Sequence, residues 1–213
     1  MLSGSATISD GRLRHFSLPH SLESINGRVS FDASGLRVDE VTGRLGGGAV
    51  TFGGRIGLDG FAIGDLSLTA VGERMTVRYP EGFRSIIDAD LALQGTMSAL
   101  VLNGTVVVQD GLWTRRIETN PDLFNLAGAM GTTLASGPAT ATPPVRFDVA
   151  IVAASSLRIQ NNVASMVASA DLRLQGTYDR PLLFGRAEIE RGDLLFEGNR
   201  FIITPGGSID FFN

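Results

Sequence analysis

The sequence predicts an all-β protein. Three observations point there. Apolar and polar residues alternate with a period of two along most of the chain, as in Val29-Ser30-Phe31, Leu66-Ser67-Leu68 and Asp90-Leu91-Ala92-Leu93. Glycine is abundant, 27 of 213 residues, against an average near ~7%, and each glycine inside a helix costs about 1 kcal/mol relative to alanine. The alternating runs are short and punctuated by turn residues. Asn26-Gly27 and Asn103-Gly104 read as hairpin turns, because both residue types take positive φ readily.

The elements follow in order. Leu36-Arg37-Val38, Met75-Thr76-Val77-Arg78-Tyr79, Val145-Arg146-Phe147-Asp148-Val149 and Asp171-Leu172-Arg173-Leu174 alternate in the same way. They bring the expectation to roughly a dozen strands, mostly antiparallel because their connections are short. One segment differs. Asn120-Pro121-Asp122 is a helix start, with a capping side chain, proline at the first position and an acid at the positive end of the dipole. Leu123, Leu126, Ala127, Met130 and Leu134 continue it at near-helical spacing, so a short helix is expected near 121–135.

An internal repeat organises the chain. Ala89-Asp90-Leu91-Ala92-Leu93-Gln94-Gly95-Thr96 matches Ala170-Asp171-Leu172-Arg173-Leu174-Gln175-Gly176-Thr177 at seven of eight positions, 81 residues apart. The match runs on without a gap, pairing 89–112 with 170–193 and placing Gly104 on Gly185 and Gly111 on Gly192. The same spacing of glycines occurs at Gly4 and Gly11. Such periodicity implies an architecture extended by adding units, here one repetitive segment over 1–213.

Composition narrows the function. The net charge of -4 and the lack of any large basic cluster speak against nucleic-acid binding. All 18 cations are arginine. Without cysteine there is no disulfide framework, thiolate metal site or thiol nucleophile. No apolar run reaches the ~18 residues of a membrane helix, and the N-terminus lacks the basic and apolar regions of a signal peptide. His15 and His20 sit in a loop around Pro19, and no triad or zinc motif surrounds them. Asp88 with Asp90, and Glu188 with Glu190, each share a strand face and read as solvated outer faces. The run Gly46-Gly47-Gly48 leads into a strand, so it reads as a bulge or sharp bend and not as a phosphate cradle. No enzymatic activity, cofactor or metal is expected.

What the chain offers is apolar area on one side of a repeating sheet, and such a face must be covered. A sandwich with a dry core satisfies that requirement. A sheet curled on itself, leaving a trough for an apolar guest, satisfies it too. A closed membrane barrel requires aromatic girdles that two tyrosines and one tryptophan cannot supply.

The stretch Gly185-Arg186-Ala187-Glu188-Ile189-Glu190-Arg191-Gly192, then Phe196-Glu197-Gly198-Asn199-Arg200-Phe201-Ile202-Ile203, then Gly207-Ser208-Ile209-Asp210-Phe211, resembles the C-terminal domain of the TamB family. Leu157 to Asn162, Ala170 to Thr177 and Gly43 to Val50 fit the same pattern. The resemblance implies a long curled antiparallel sheet forming a taco-like open groove with an apolar interior, related to AsmA-like bridging lipid carriers. It also implies a periplasmic protein anchored in the inner membrane by a part outside this chain. Its work would be to conduct phospholipids between the two membranes and to support outer-membrane assembly beside a barrel partner of the TamA type. Its guests would be phospholipid acyl chains. An acyl chain of ~16 carbons left in water costs on the order of 12 kcal/mol, at ~0.8 kcal/mol per methylene. A continuous apolar trough removes most of that barrier.

On this reading the lining comprises Val29, Phe31, Leu66, Leu68, Leu91, Leu93, Val106, Val108, Phe147, Val149, Leu172, Leu174, Ala187 and Ile189. A second reading is an edge-strand interaction module for outer-membrane protein (autotransporter) biogenesis, pairing through Ser208 to Phe212. A third is a structural β-solenoid or adhesin, for which the expected ladder of ~20–30-residue coils is missing.

Overall fold

A computed structural model describes residues 3–14, 20–60, 62–117, 145–196 and 198–212. The helix expected near 121–135 lies outside the described residues, as does His15. The described residues form twelve strands in one continuous sheet. They are β1 (Gly4–Leu13), β2 (Leu22–Asp32), β3 (Gly35–Leu45), β4 (Gly48–Asp59), β5 (Ala62–Val77) and β6 (Phe83–Thr96), then β7 (Ala99–Trp113), β8 (Arg146–Gln160), β9 (Ala164–Thr177), β10 (Pro181–Phe196), β11 (Asn199–Ile203) and β12 (Gly207–Phe211). Strand order follows chain order from β1 to β11. β11 and β12 lie along the same edge of β10, β11 pairing Gly192–Phe196 and β12 pairing Gly185–Ile189. They amount to one edge strand broken at Thr204-Pro205-Gly206.

One pairing departs from the antiparallel expectation. β7 and β8 run parallel. The reason is the connection between them, residues 114–145, which is long enough to bring the chain back to the starting end of the sheet; a tight turn cannot do that.

The sandwich alternative is also settled. The substantial strand contacts all run between ladder neighbours, so the described residues form a single open, curled layer. No side chain among them is completely buried, yet Val50 and Val149 are only 4% exposed and Ala153 2%. With no second layer above them, this burial comes from neighbours on the same face closing over them, which places the apolar residues on the concave side. Val50, Met75 and Ala89 make one cluster, and Val108, Ala153 and Ala170 another, with Ile87 touching both.

The curl has a local cause. Register shifts interrupt every ladder from β1–β2 to β9–β10. At five of these bulges a non-glycine residue has positive φ: Asp10, Ser24, Glu40, Arg74 and Ser155. Each bulge bends its strand and increases its twist. Set side by side, they fold the sheet across its strands.

Asn26-Gly27 and Asn103-Gly104 are not turns. Both lie inside strands, β2 and β7. Asn26 works at a bulge, where its Oδ1 accepts the Asp10 N–H at 2.9 Å and its Nδ2 donates to Ser24 O at 2.9 Å. Gly104 meets a close backbone approach. Its φ is 133°, and a β-carbon there would lie 2.1 Å from Asp90 O. The repeat reproduces this in space, since a β-carbon on Gly185 would lie 2.2 Å from Asp171 O. Gly46 and Gly47 make the turn between β3 and β4, a sharp bend as expected.

Candidate functional site: the concave apolar face

Residues paired across strands point to the same side of a sheet, so the register sorts side chains by face. One row runs Val29, Val38, Gly54, Leu68, Leu93, Leu102, Phe147. A second runs Phe31, Leu36, Ile56, Leu66. A third joins Leu91 through Gly104 to Val149 and Leu174. Val106 pairs Ile151, which pairs Leu172. Val108 packs with Ala153 and Ala170, and Ala170 pairs Ala187, next to the Ala168–Ile189 pair. All fourteen residues singled out from the sequence therefore occupy one face. Val108 and Val149 are buried, Phe31 is 39% exposed at the rim, and the other eleven are half-buried.

Sequence reasoning missed much of the deepest part. Val41, Val50, Met75, Ala89, Leu100, Ala153, Ala164, Ala168 and Ala170 are buried, and none was singled out. The signal was present but dephased. In β5 the inward residues are Leu66, Leu68, Ala70 and Gly72, then Met75 and Val77, because Arg74 adds a residue at the bulge. Alanines carry too little hydrophobic contrast to register in an alternation.

Among the described and paired positions, this face carries no charged side chain. Its polar members are Ser85, buried with its hydroxyl directed at Val77 O at 3.4 Å, and Asn199 at the β10–β11 tip. Large residues face small ones: Leu91 opposes Gly104, Leu172 opposes Gly185, and Leu157 opposes Gly111. That alternation in size lets a concave surface close without overpacking.

The convex face carries the charge. Arg12–Glu23, Arg158–Asp110, Arg173–Asp148, Arg186–Asp210 and Arg200–Asp193 bridge neighbouring strands at 2.5–2.8 Å. Exposed pairs of this kind add little stability each, and here they mark which side meets water. The hydrogen bond and charge of Arg173 hold the Asp148 carboxyl below the usual range, and Arg200 does the same for Asp193. Asp88 is lowered by the Arg74 N–H, which it accepts at 2.7 Å, and by Gln109 Nε2 at 2.7 Å. Asp88 thus satisfies a backbone donor freed by the β5 bulge. Ser155 donates to Glu190, which stands at the matching register shift of β10. His20 has a structural partner, its Nε2 accepting the Arg78 N–H at 3.1 Å.

The arrangement has no reactive constellation among the described residues. Their acids and His20 form no metal-ligating group of three, and no described helix is long and apolar enough to cross a membrane. What the geometry defines is an open β-groove protein, apolar within and charged without. The TamB C-terminal domain family matches residues 37–213, and the chain belongs to that family. Membership makes it a periplasmic envelope protein of a translocation and assembly module, a class that works with an outer-membrane partner. No curated protein and no solved structure matches the chain.

Proposed function

We propose that the concave face conducts phospholipid acyl chains across the periplasm between inner and outer membranes, and that this supply supports outer-membrane assembly. The observation that carries the reading is an uncharged, single-layer concave face that no other part of the described chain covers. Eleven strand positions at ~4.8 Å spacing make a trough roughly 50 Å long, longer than one acyl chain. A guest would slide along a surface of uniform chemistry and meet no single tight site. An inner-membrane anchor outside this chain and a barrel partner of the TamA type complete the proposed path.

The test is retention of lipid. Wild-type protein purified in mild detergent is expected to carry phospholipid in native mass spectrometry. Leu93→Glu and Leu174→Glu each place a carboxylate among inward leucines and should strip it, with circular dichroism confirming the strands persist. Bare wild-type protein, or variants that retain lipid like wild type, would remove the reading.

The edge-strand reading keeps one specific support. β12 forms an outer edge of the sheet, and Ile209 and Phe212 are exposed along it. Site-specific crosslinkers at Ser208 to Phe212 that capture an outer-membrane barrel in cells would favour it, and it is compatible with conduction.

A further inference from the structure

Directly facing charges on the convex face follow one rule, with one exception. Where charged residues stand directly opposite across the described strands, they are of opposite sign: Glu23 with Arg44, Arg28 with Asp39, and Arg186 with both Asp171 and Asp210. Arg37 stands directly opposite Arg55. It is the one like-charge pair in the described register, and like charges so placed destabilise a sheet. Neither arginine takes part in the five ion pairs.

The surroundings point the same way. The row continues as Ser30, Arg37, Arg55, Ser67 across four strands, so two hydroxyls flank two guanidinium groups. A recess of about 230 Å³ sits over it, walled by both arginines, by Asp32 and Ser34, and by Phe31 and Leu36 of the apolar face. Asp32 in its wall and Asp39 of β3 are engaged by other donors. Asp32 accepts the Ser34 N–H at 2.7 Å and the Ser34 hydroxyl at 2.6 Å, and Asp39 accepts the Ser30 hydroxyl at 3.0 Å. Asp32 lies close enough to Arg37 to feel its charge without forming an ion pair. The recess therefore sits on the lip of the trough, where the turn between β2 and β3 brings inward and outward residues together.

We infer that Arg37 and Arg55 form a binding site for a phosphate group, free or esterified, held by the two planar forks. Guanidinium groups match phosphate oxygens two at a time, and a bridging anion removes the repulsion that the free pair carries. The site stands on the direct opposition of the two arginines and the recess beside them. Its lipid form rests on the conduction reading: a headgroup phosphate on Arg37 and Arg55 would leave the acyl chains to enter beside Phe31 and Leu36.

Three probes test the site on the whole chain: inorganic phosphate, monomeric dihexanoylphosphatidylglycerol, and dihexanoylglycerol, which has the same chains without phosphate. Both phosphate probes are expected to shift the backbone amide resonances of Arg37 and Arg55 in wild type. R37Q/R55Q should weaken both at least tenfold, with R191Q unchanged. A role in binding, as opposed to folding, has its own signature. At low salt without anion, R55Q should melt at or above wild type, and added phosphate should raise the wild-type Tm only. Tenfold tighter binding of the phosphatidylglycerol than of inorganic phosphate identifies a headgroup site, and equal binding identifies a free-phosphate site. Wild-type affinity in R37Q/R55Q, or unmoved amides with both phosphate probes, would overturn the inference. Failure of the conduction reading looks different: dihexanoylglycerol leaves the inward leucines unshifted while phosphate still moves Arg37 and Arg55.

Discussion

At Gly104 and Gly185 two identical demands meet, a left-handed backbone and a carbonyl oxygen where a side chain would begin. Gly104→Val should destabilise the fold by about 3 kcal/mol or more, through backbone strain and steric clash together. Gly53→Ala is the control, since a β-carbon there meets only Thr69 Oγ1 at 3.4 Å, and its thermal midpoint should stay near wild type. The opposite sign is expected at Glu40, whose φ of 44° places a side chain where glycine fits better. Glu40→Gly should raise stability by about 0.5–1 kcal/mol in urea unfolding, less any entropy glycine adds to the unfolded chain. Single carboxylates set the acid limit. Asp32, Asp88, Asp148 and Asp193 all titrate below their ordinary value of 3.8 in the folded state. Their stabilising contribution is therefore complete above that value and lost as pH falls below it. The thermal midpoint should be level from neutral pH to about 5 and decline below about 4, and Asp88→Asn should make that decline shallower.

Strands were legible in this sequence because one face is almost purely apolar and the other almost purely polar, so period two survives even in runs of four residues. Their phase was not. Each bulge puts two residues into one outward slot and then restores the inward pattern, which is why Leu66 and Leu68 were found and Met75 was missed. Nothing in the composition of Glu23-Ser24 or Asp39-Glu40 announces a bulge, and where a bulge frees a backbone donor its acceptor can come from the next strand, as Asn26 does for Asp10 and Asp88 for Arg74. Asn26 shows the cost of local reading, since the turn chemistry that makes Asn-Gly a hairpin signal also serves a bulge. The parallel pairing of β7 and β8 was hidden behind a connection whose sequence says nothing about its course. A pair of deletions tests the bulge account at this scale. Removing Glu40 leaves Val38 and Val41 on the inward side and should give a cooperatively folded protein. Removing Thr42 turns Arg44 inward and Leu45 outward, and circular dichroism should show loss of the cooperative transition.

A single curled layer this size leaves much of its apolar surface without protein cover, so the stability of the whole molecule should depend on its surroundings. Added phospholipid or mild detergent is expected to raise the thermal midpoint in proportion to the logarithm of free ligand. A flat response would mean that the concave face binds neither. The parallel β7–β8 junction has a consequence of its own. The recurring block, β5 to β7 and again β8 to β10, holds an odd number of strands. An up-down-up block can be followed by an identical one in the same sense only if the two meet side by side in parallel; an antiparallel seam would invert every second block. The crossover thus keeps these two blocks in a common direction, and a chain built by adding such blocks would change length in increments of three strands, roughly 14 Å each at ~4.8 Å per strand, without reversing the surface from one increment to the next.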